Sequence, residues 1–231
     1  MKKLLILVLS LLFLIGCGGA KEASKDQKLE QSKAIKFAVV EVATVTTQKD
    51  VSQKTQAPQF KPFYIYANKG SRSNHYTPSG FMPNGKCLSF ADTWTEDCYS
   101  GSSCMKIEYD VECSRNSDQW AGIYWLNPPN NWGNRKGGYN LTGAEKLTFW
   151  ARGEKGGEQI NEITIGGLSG DYSDSDVAVI GPIILMPEWR QYTIDLRGKD
   201  LSYISGGFSW STSAEVNPLD CVFYLDEMKF E

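Results

Sequence analysis

The chain has 231 residues, 41% of them hydrophobic and 12% aromatic, and its 24 Lys and Arg against 27 Asp and Glu leave a formal net charge of -3. No basic stripe with interleaved rings is present, which excludes a nucleic-acid partner. Beyond a terminal segment the length fits one domain able to bury a sizeable core.

Lys2 and Lys3 precede an apolar run from Leu4 to Ile15, then Gly16 and Cys17. The run is too short to span a bilayer and reads as a signal peptide over residues 1–16. Leu14-Ile15-Gly16-Cys17 resembles the bacterial lipobox, which implies cleavage before Cys17 and lipidation of its thiol. Several acyl chains would hold the mature chain on a membrane surface, placing it in a bacterial cell envelope. Gly18 in place of Asp is compatible with outer-membrane sorting in a Gram-negative cell. Residues 17–57 are rich in Lys, Glu, Ser, Gln, Thr and Ala and nearly free of large rings, so they read as a flexible tether. Ile35 to Val45 is apolar enough for a stray strand. Residues 58–231 form the expected folded domain.

Five cysteines remain: Cys87, Cys98, Cys104, Cys113 and Cys221. An exported chain permits disulfides, and the four close in sequence allow three connectivities. If Lys86 to Ala91 and Cys104 to Cys113 form an antiparallel hairpin, opposed residues share a nearly constant index sum. That condition pairs Cys87 with Cys113 and Cys98 with Cys104, and leaves Cys221 as a free buried thiol.

Strand patterns recur at Phe63 to Ala67, Lys86 to Ala91, Met105 to Val111, Ala121 to Leu126, Lys146 to Arg152 and Glu162 to Ile165. They continue at Ala178 to Leu185, Arg190 to Leu196, Gly206 to Trp210 and Val222 to Phe230, with Gly, Pro, Asn, Asp and Ser at the joints. About ten short strands with no sustained helical period predict an all-β, antiparallel β-sandwich of the jelly-roll kind. Leu147, Phe149, Tyr192, Ile194 and Leu196 are expected core positions.

The most informative stretch is Trp120 to Gly157. Between its two strands lies a long loop, Asn127 to Gly143, whose turn residues carry Trp132 and Tyr139. A sugar packs its C–H face on an aromatic plane and offers hydroxyls to amides, carboxylates and guanidinium groups. Trp120, Tyr124, Trp125, Trp132 and Tyr139 supply rings here, and Asn130, Asn131, Asn134 and Arg135 supply planar polar groups. Trp120 and Trp125, five apart, face opposite sides of an unbroken strand, so one belongs in the core. Trp125 and Trp132 are taken as the platform rings. Asn74 and His75 sit in a polar loop. His75, the only histidine, reads as a loop anchor or as a hydroxyl partner in a sugar cleft, and it cannot make a zinc site alone.

Several blocks together carry a family resemblance: Asn74-His75-Tyr76 with Pro78-Ser79-Gly80, Trp120 to Trp125, Asn131-Trp132-Gly133, Lys146 to Gly157, Glu188 to Leu196, and Phe223 to Asp226. From about Phe60 to Glu231 the chain resembles the carbohydrate-binding jelly rolls of the galactose-binding-like superfamily. The resemblance implies binding of a glycan or polysaccharide without catalysis, and a structural calcium. Asp226 is where related jelly rolls place a calcium ligand, although Asn68 stands where a partner aspartate is expected. Asp171, Asp174 and Asp176 read first as a solvated acidic turn, and Asp174 second as a hydroxyl-binding group. Enzyme motifs fail: no carboxylate pair is marked by an apolar cleft, Gly101 to Cys104 lacks the second glycine of a nucleophile elbow, and Gly166 to Gly170 has no following Lys-Ser or Lys-Thr. Two other readings stand beside glycan binding: a structural or adhesive surface lipoprotein recognising protein, and a small glycan-cleaving enzyme.

Overall fold

The computed structural model describes residues 59–83 and 85–231. The signal peptide, Cys17, the tether and the stray strand lie outside the described residues. In chain order the elements are β1 (Phe63–Tyr66), β2 (Thr77–Met82), β3 (Leu88–Trp94), β4 (Cys104–Tyr109), α1 (Val111–Arg115), β5 (Trp120–Leu126) and β6 (Lys146–Gly153). They continue with β7 (Gln159–Ile160), β8 (Glu162–Gly166), β9 (Val177–Ile180), β10 (Ile183–Ile184), β11 (Arg190–Asp195), β12 (Gly206–Ser213) and β13 (Cys221–Phe230). One sheet runs β11-β6-β13-β4-β3, with β1 also paired to β13, and the other runs β2-β5-β12-β8-β9. Strands β7 and β10 form a small ribbon.

Every strand pair is antiparallel, and the alternation within each strand decides what faces the other sheet. Leu147, Phe149 and Ala151 of β6, and Phe223, Leu225 and Phe230 of β13, turn inward and are buried. They meet Ile123 and Trp125 of β5, Phe208 and Trp210 of β12, and Ile163 and Ile165 of β8. Rings lock the two layers edge to face: Phe149 on Phe208 at 5.4 Å, Trp210 on Phe223 at 4.9 Å, and Phe90 on Trp125 at 5.9 Å between centroids. Ile194 and Leu196 are buried as expected, and Tyr192 is half-buried, stacked on Phe149.

The thirteen strands among the described residues differ from the ten expected at specific places. β2 is not among the expected strands; it is an edge strand, where the N–H that Pro78 lacks is tolerated. The run from Ala178 to Leu185 breaks into β9 and β10 at Gly181, whose φ is +143° and where a Cβ would lie 2.3 Å from the Asn161 carbonyl oxygen. The run after Met105 stops at Tyr109 because Asp110 caps a short helix, its carboxylate accepting from Cys113 N at 2.8 Å.

Both expected disulfides form, Cys87–Cys113 and Cys98–Cys104, and Cys221 is buried and free. Burial pushes the Cys221 thiol up to about 12, so it stays protonated and inert at neutral pH. The Cys98–Cys104 bridge pins the β3–β4 loop over the outer face of the six-stranded sheet, where Tyr99 stacks on Trp150 at 3.6 Å.

Candidate functional site

The outer face of the five-stranded sheet carries an open groove of about 350 Å³. Strand alternation builds it. Sending Ala121, Ile123 and Trp125 inward leaves Trp120, Gly122 and Tyr124 outward on β5, and sending Phe208, Trp210 and Thr212 inward leaves Ser209, Ser211 and Ser213 outward on β12. Register then lines these positions up across the sheet. Gly122 lies opposite Ser211, which lies opposite Glu162; Tyr124 lies opposite Ser209, then Thr164, then Val179. Of these, Tyr124, Ser209, Ser211, Glu162, Thr164 and Val179 line the groove, with the two serines at the centre of its floor. Trp120 and Met82 rise on one side, and Val177 and Val179 on the other. Gly122 is required: a Cβ there would lie 2.4 Å from the Trp210 carbonyl oxygen and 3.2 Å from Met82 Cε.

The groove offers one large open ring and a short polar row. Trp120 is 39% exposed. Glu162 accepts from Thr164 Oγ1 at 2.7 Å, and the Ser209 and Ser211 side chains share the same lining. Tyr124 closes the end: its hydroxyl donates to the Gly166 carbonyl, and burial holds its phenol far above the ordinary range. Beyond it, on the same face, Trp132 is 42% exposed, meets Tyr124 edge-on at 6.2 Å and covers Gly80.

The expected site residues divide into separate groups. Trp120, Tyr124 and Trp132 share the groove face, although Tyr124 is buried. Trp125, taken as a platform ring, is corrected: it is 1% exposed and packs between Phe90 and Phe208. The opposite-face reading of Trp120 and Trp125 was right, and the choice between them was inverted. Asn131 is wholly buried, donating to the Asn127 carbonyl and accepting from Gly133 N, each at 3.2 Å, so it braces its own loop instead of facing a ligand. Arg135 is spent in the same way on the Pro129 carbonyl.

Asn74, His75 and Tyr139 gather elsewhere. Asn74 staples β1 to the following turn, accepting from Ala67 N at 2.9 Å and donating to the Asn68 carbonyl at 2.8 Å. His75 stacks on Phe63 at 3.7 Å with Nδ1 at 3.0 Å from the Tyr64 carbonyl oxygen, which is the loop-anchor role. The Tyr139 hydroxyl donates to the His75 carbonyl at 3.0 Å and accepts from Asn127 Nδ2 at 2.9 Å. Asp174 is not a solvated turn residue: its carboxylate accepts from Leu168 N at 3.1 Å and also from Ser205 N and Gly206 N, buckling two loops together, and burial raises its pKa.

Asp226 is fully buried beneath the β3–β4 loop. Oδ2 accepts from Ser100 N at 3.0 Å and Oδ1 from Glu227 N at 2.9 Å, while Asn68 Oδ1 accepts from Ser102 N at 2.7 Å and Ser103 N at 3.2 Å. N–H donors point at the oxygens a calcium ion would need, so this donor set does not fit calcium. Among the described residues no cluster of three His, Cys, Asp or Glu is arranged to hold a metal.

Groove residues that sequence reading missed are Glu162, Thr164, Val177, Val179, Ser209 and Ser211. A signal existed in Phe208 to Ser213, FSWSTS, where every second residue is serine; a strand with only serines on one face makes a floor with room above it.

The fold is a jelly-roll β-sandwich of the kind found in carbohydrate-binding modules. It is similar to a family 30 carbohydrate-binding module with a TM-score of 0.50 and 16% identity, over 74% of this chain and 87% of that one. Two modules of Clostridium thermocellum are also similar: family 30 of the cellulosomal cellulase Cel9D-Cel44B (TM-score 0.47, 15% identity, 74% and 97% covered) and family 11 of Lic26A-Cel5E (0.48, 14%, 74% and 94%). Neither a family model nor a curated protein sequence matches the chain.

Proposed function

We propose that this is an exported, lipid-anchored protein that binds a glycan in the groove of the five-stranded sheet and does not turn it over. The observation that carries the reading is Trp120, an open indole beside a floor that includes Ser209 and Ser211. An indole stacks on the C–H face of a pyranose, and the serine hydroxyls with Glu162 and Thr164 offer hydrogen bonds to its hydroxyls. A fold shared with a carbohydrate-binding module supports the same reading. In this proposal Trp132 extends the platform, and Asp226 serves the β3–β4 loop instead of a calcium ion.

The test is a panel of oligosaccharides titrated calorimetrically into the protein and into Trp120→Ala. We expect at least one linear oligosaccharide to bind, with affinity falling tenfold or more in Trp120→Ala, and no new reducing ends on prolonged incubation. A folded protein that binds nothing on a broad panel would shift the reading to protein adhesion; released reducing ends would shift it to a glycan-cleaving enzyme.

A further inference from the structure

The opposite face of the sandwich holds a second constellation that the groove does not use. On the outer side of the six-stranded sheet, Tyr224 of β13 is flanked by Trp94 and Trp189, with ring centroids at 6.2 and 6.5 Å. Arg152 of β6, directly opposite Tyr224 in register, lays its guanidinium 3.9 Å over the Tyr224 ring and 5.5 Å from Trp189. Lys106 of β4, opposite Tyr224 on its other side, holds its ammonium 4.5 Å over Trp94. Two cations thus sit among three rings, an arrangement that favours an anion presented on an apolar body.

The hydrogen bonding of Arg152 is incomplete. The residue is only 8% exposed, yet its Nε has no partner. Nη1 makes a 3.4 Å bond to the Gly153 carbonyl, and Nη2 meets one oxygen of Asp97 at 3.1 Å. Nε and Nη2 form the edge of the fork that takes a carboxylate through two parallel bonds, and only one prong is used. A buried donor left unpaired is costly. The partner that fills the other prong comes from the solvent side: the Asp97 side chain is 75% exposed and hangs from a loop position with φ +49°. Lys106 has the same kind of partner, Glu108 at 2.6 Å and 46% exposed.

We propose that this cluster binds a carboxylate-bearing sugar, a hexuronate residue of an acidic polysaccharide. Its carboxylate takes the Nε and Nη2 edge of Arg152 in place of Asp97, and its ring packs against the half-buried Trp189. Asp97 is then the internal occupant that the ligand displaces. The protein has two binding faces, one for each sheet, with different charge requirements.

The experiment uses the full chain in detergent, titrated with an oligo-hexuronate and with the same oligosaccharide after reduction of its carboxylates to alcohols. We expect 1:1 binding of the acid, at least tenfold weaker binding of the reduced form, at least tenfold loss in Trp189→Ala, and several-fold tighter binding in Asp97→Asn. The last variant removes only the competing occupant and leaves the cations and rings in place. Equal binding of the acid and reduced forms would overturn the proposal, as would no binding of the acid by folded Asp97→Asn. Loss of acid binding in Trp120→Ala would place the acid in the groove and overturn it too. An acidic peptide that binds as tightly as the sugar would assign the cluster to a protein partner instead and overturn the proposal.

Discussion

At the scale of single residues, two tryptophans five positions apart have opposite jobs, and mutation separates them. Trp125 fills the core between Phe90 and Phe208, so Trp125→Ala leaves a cavity and should cost about 3–5 kcal/mol in urea unfolding. Trp120→Ala opens no cavity and should cost well under half of that. Period-two reasoning placed the pair on opposite faces; it could not say which was inside, because both alternating sets on β5 contain a tryptophan. Asp226 adds a pH signature. Burial raises its carboxyl to about 6, against about 4 in an unfolded chain. The folded state then binds more protons than the unfolded state between those values, so this group's favourable contribution is complete below about 4 and is lost as pH rises through about 6. Wild-type stability should fall relative to Asp226→Asn by on the order of 2–3 kcal/mol between pH 4 and pH 7, measured by urea midpoints across that range.

At the scale of elements, the β3–β4 loop is held by a short covalent link and by contacts underneath it. Cys98–Cys104 closes it, Ser100 reaches Asp226 and Glu227, Tyr99 stacks on Trp150, and the Asp97 carbonyl accepts from Trp189 Nε1 at 2.9 Å. Replacing both cysteines by serine should speed amide exchange across residues 95–103 while β6 and β13 stay protected, read by hydrogen exchange. The two pairings matched the index-sum argument although neither is a ladder pair: the β3–β4 hairpin does form, but Cys113 lies on α1 and Cys98 in the connecting loop, so the hairpin only brings each pair near. The groove floor was legible but unread in the serines of β12. The roles of Asn74, Asn131 and Asp174 were not legible: each is spent on backbone N–H groups of its own or a neighbouring loop, and nothing in the order of residues separates an amide aimed at solvent from one that closes a turn.

At the scale of the whole molecule, alternation and turn chemistry specified an antiparallel sandwich, but not which strands are neighbours. β13 lies between β6 and β4, and β12 between β5 and β8, all partners distant in sequence. The lipobox resemblance predicts that Cys17→Ser releases the protein from the membrane fraction to the soluble fraction of an expressing bacterium, scored by fractionation and immunoblot. Retention of that variant on the membrane would contradict the anchor.

β1 carries a mechanical consequence. It is four residues long, its pairing is to β13, and its register slips between Tyr64 and Tyr66. If the chain is tied down ahead of β1, as the lipobox resemblance predicts, and a polysaccharide is gripped in the groove as proposed, a pull between cell and polymer runs through that strand first. Phe63 pairs with Phe230 at the end of the ladder where the load would enter. The rupture force of the tethered protein would then be set by the β1–β13 seam, and the grip on the sugar could outlast it.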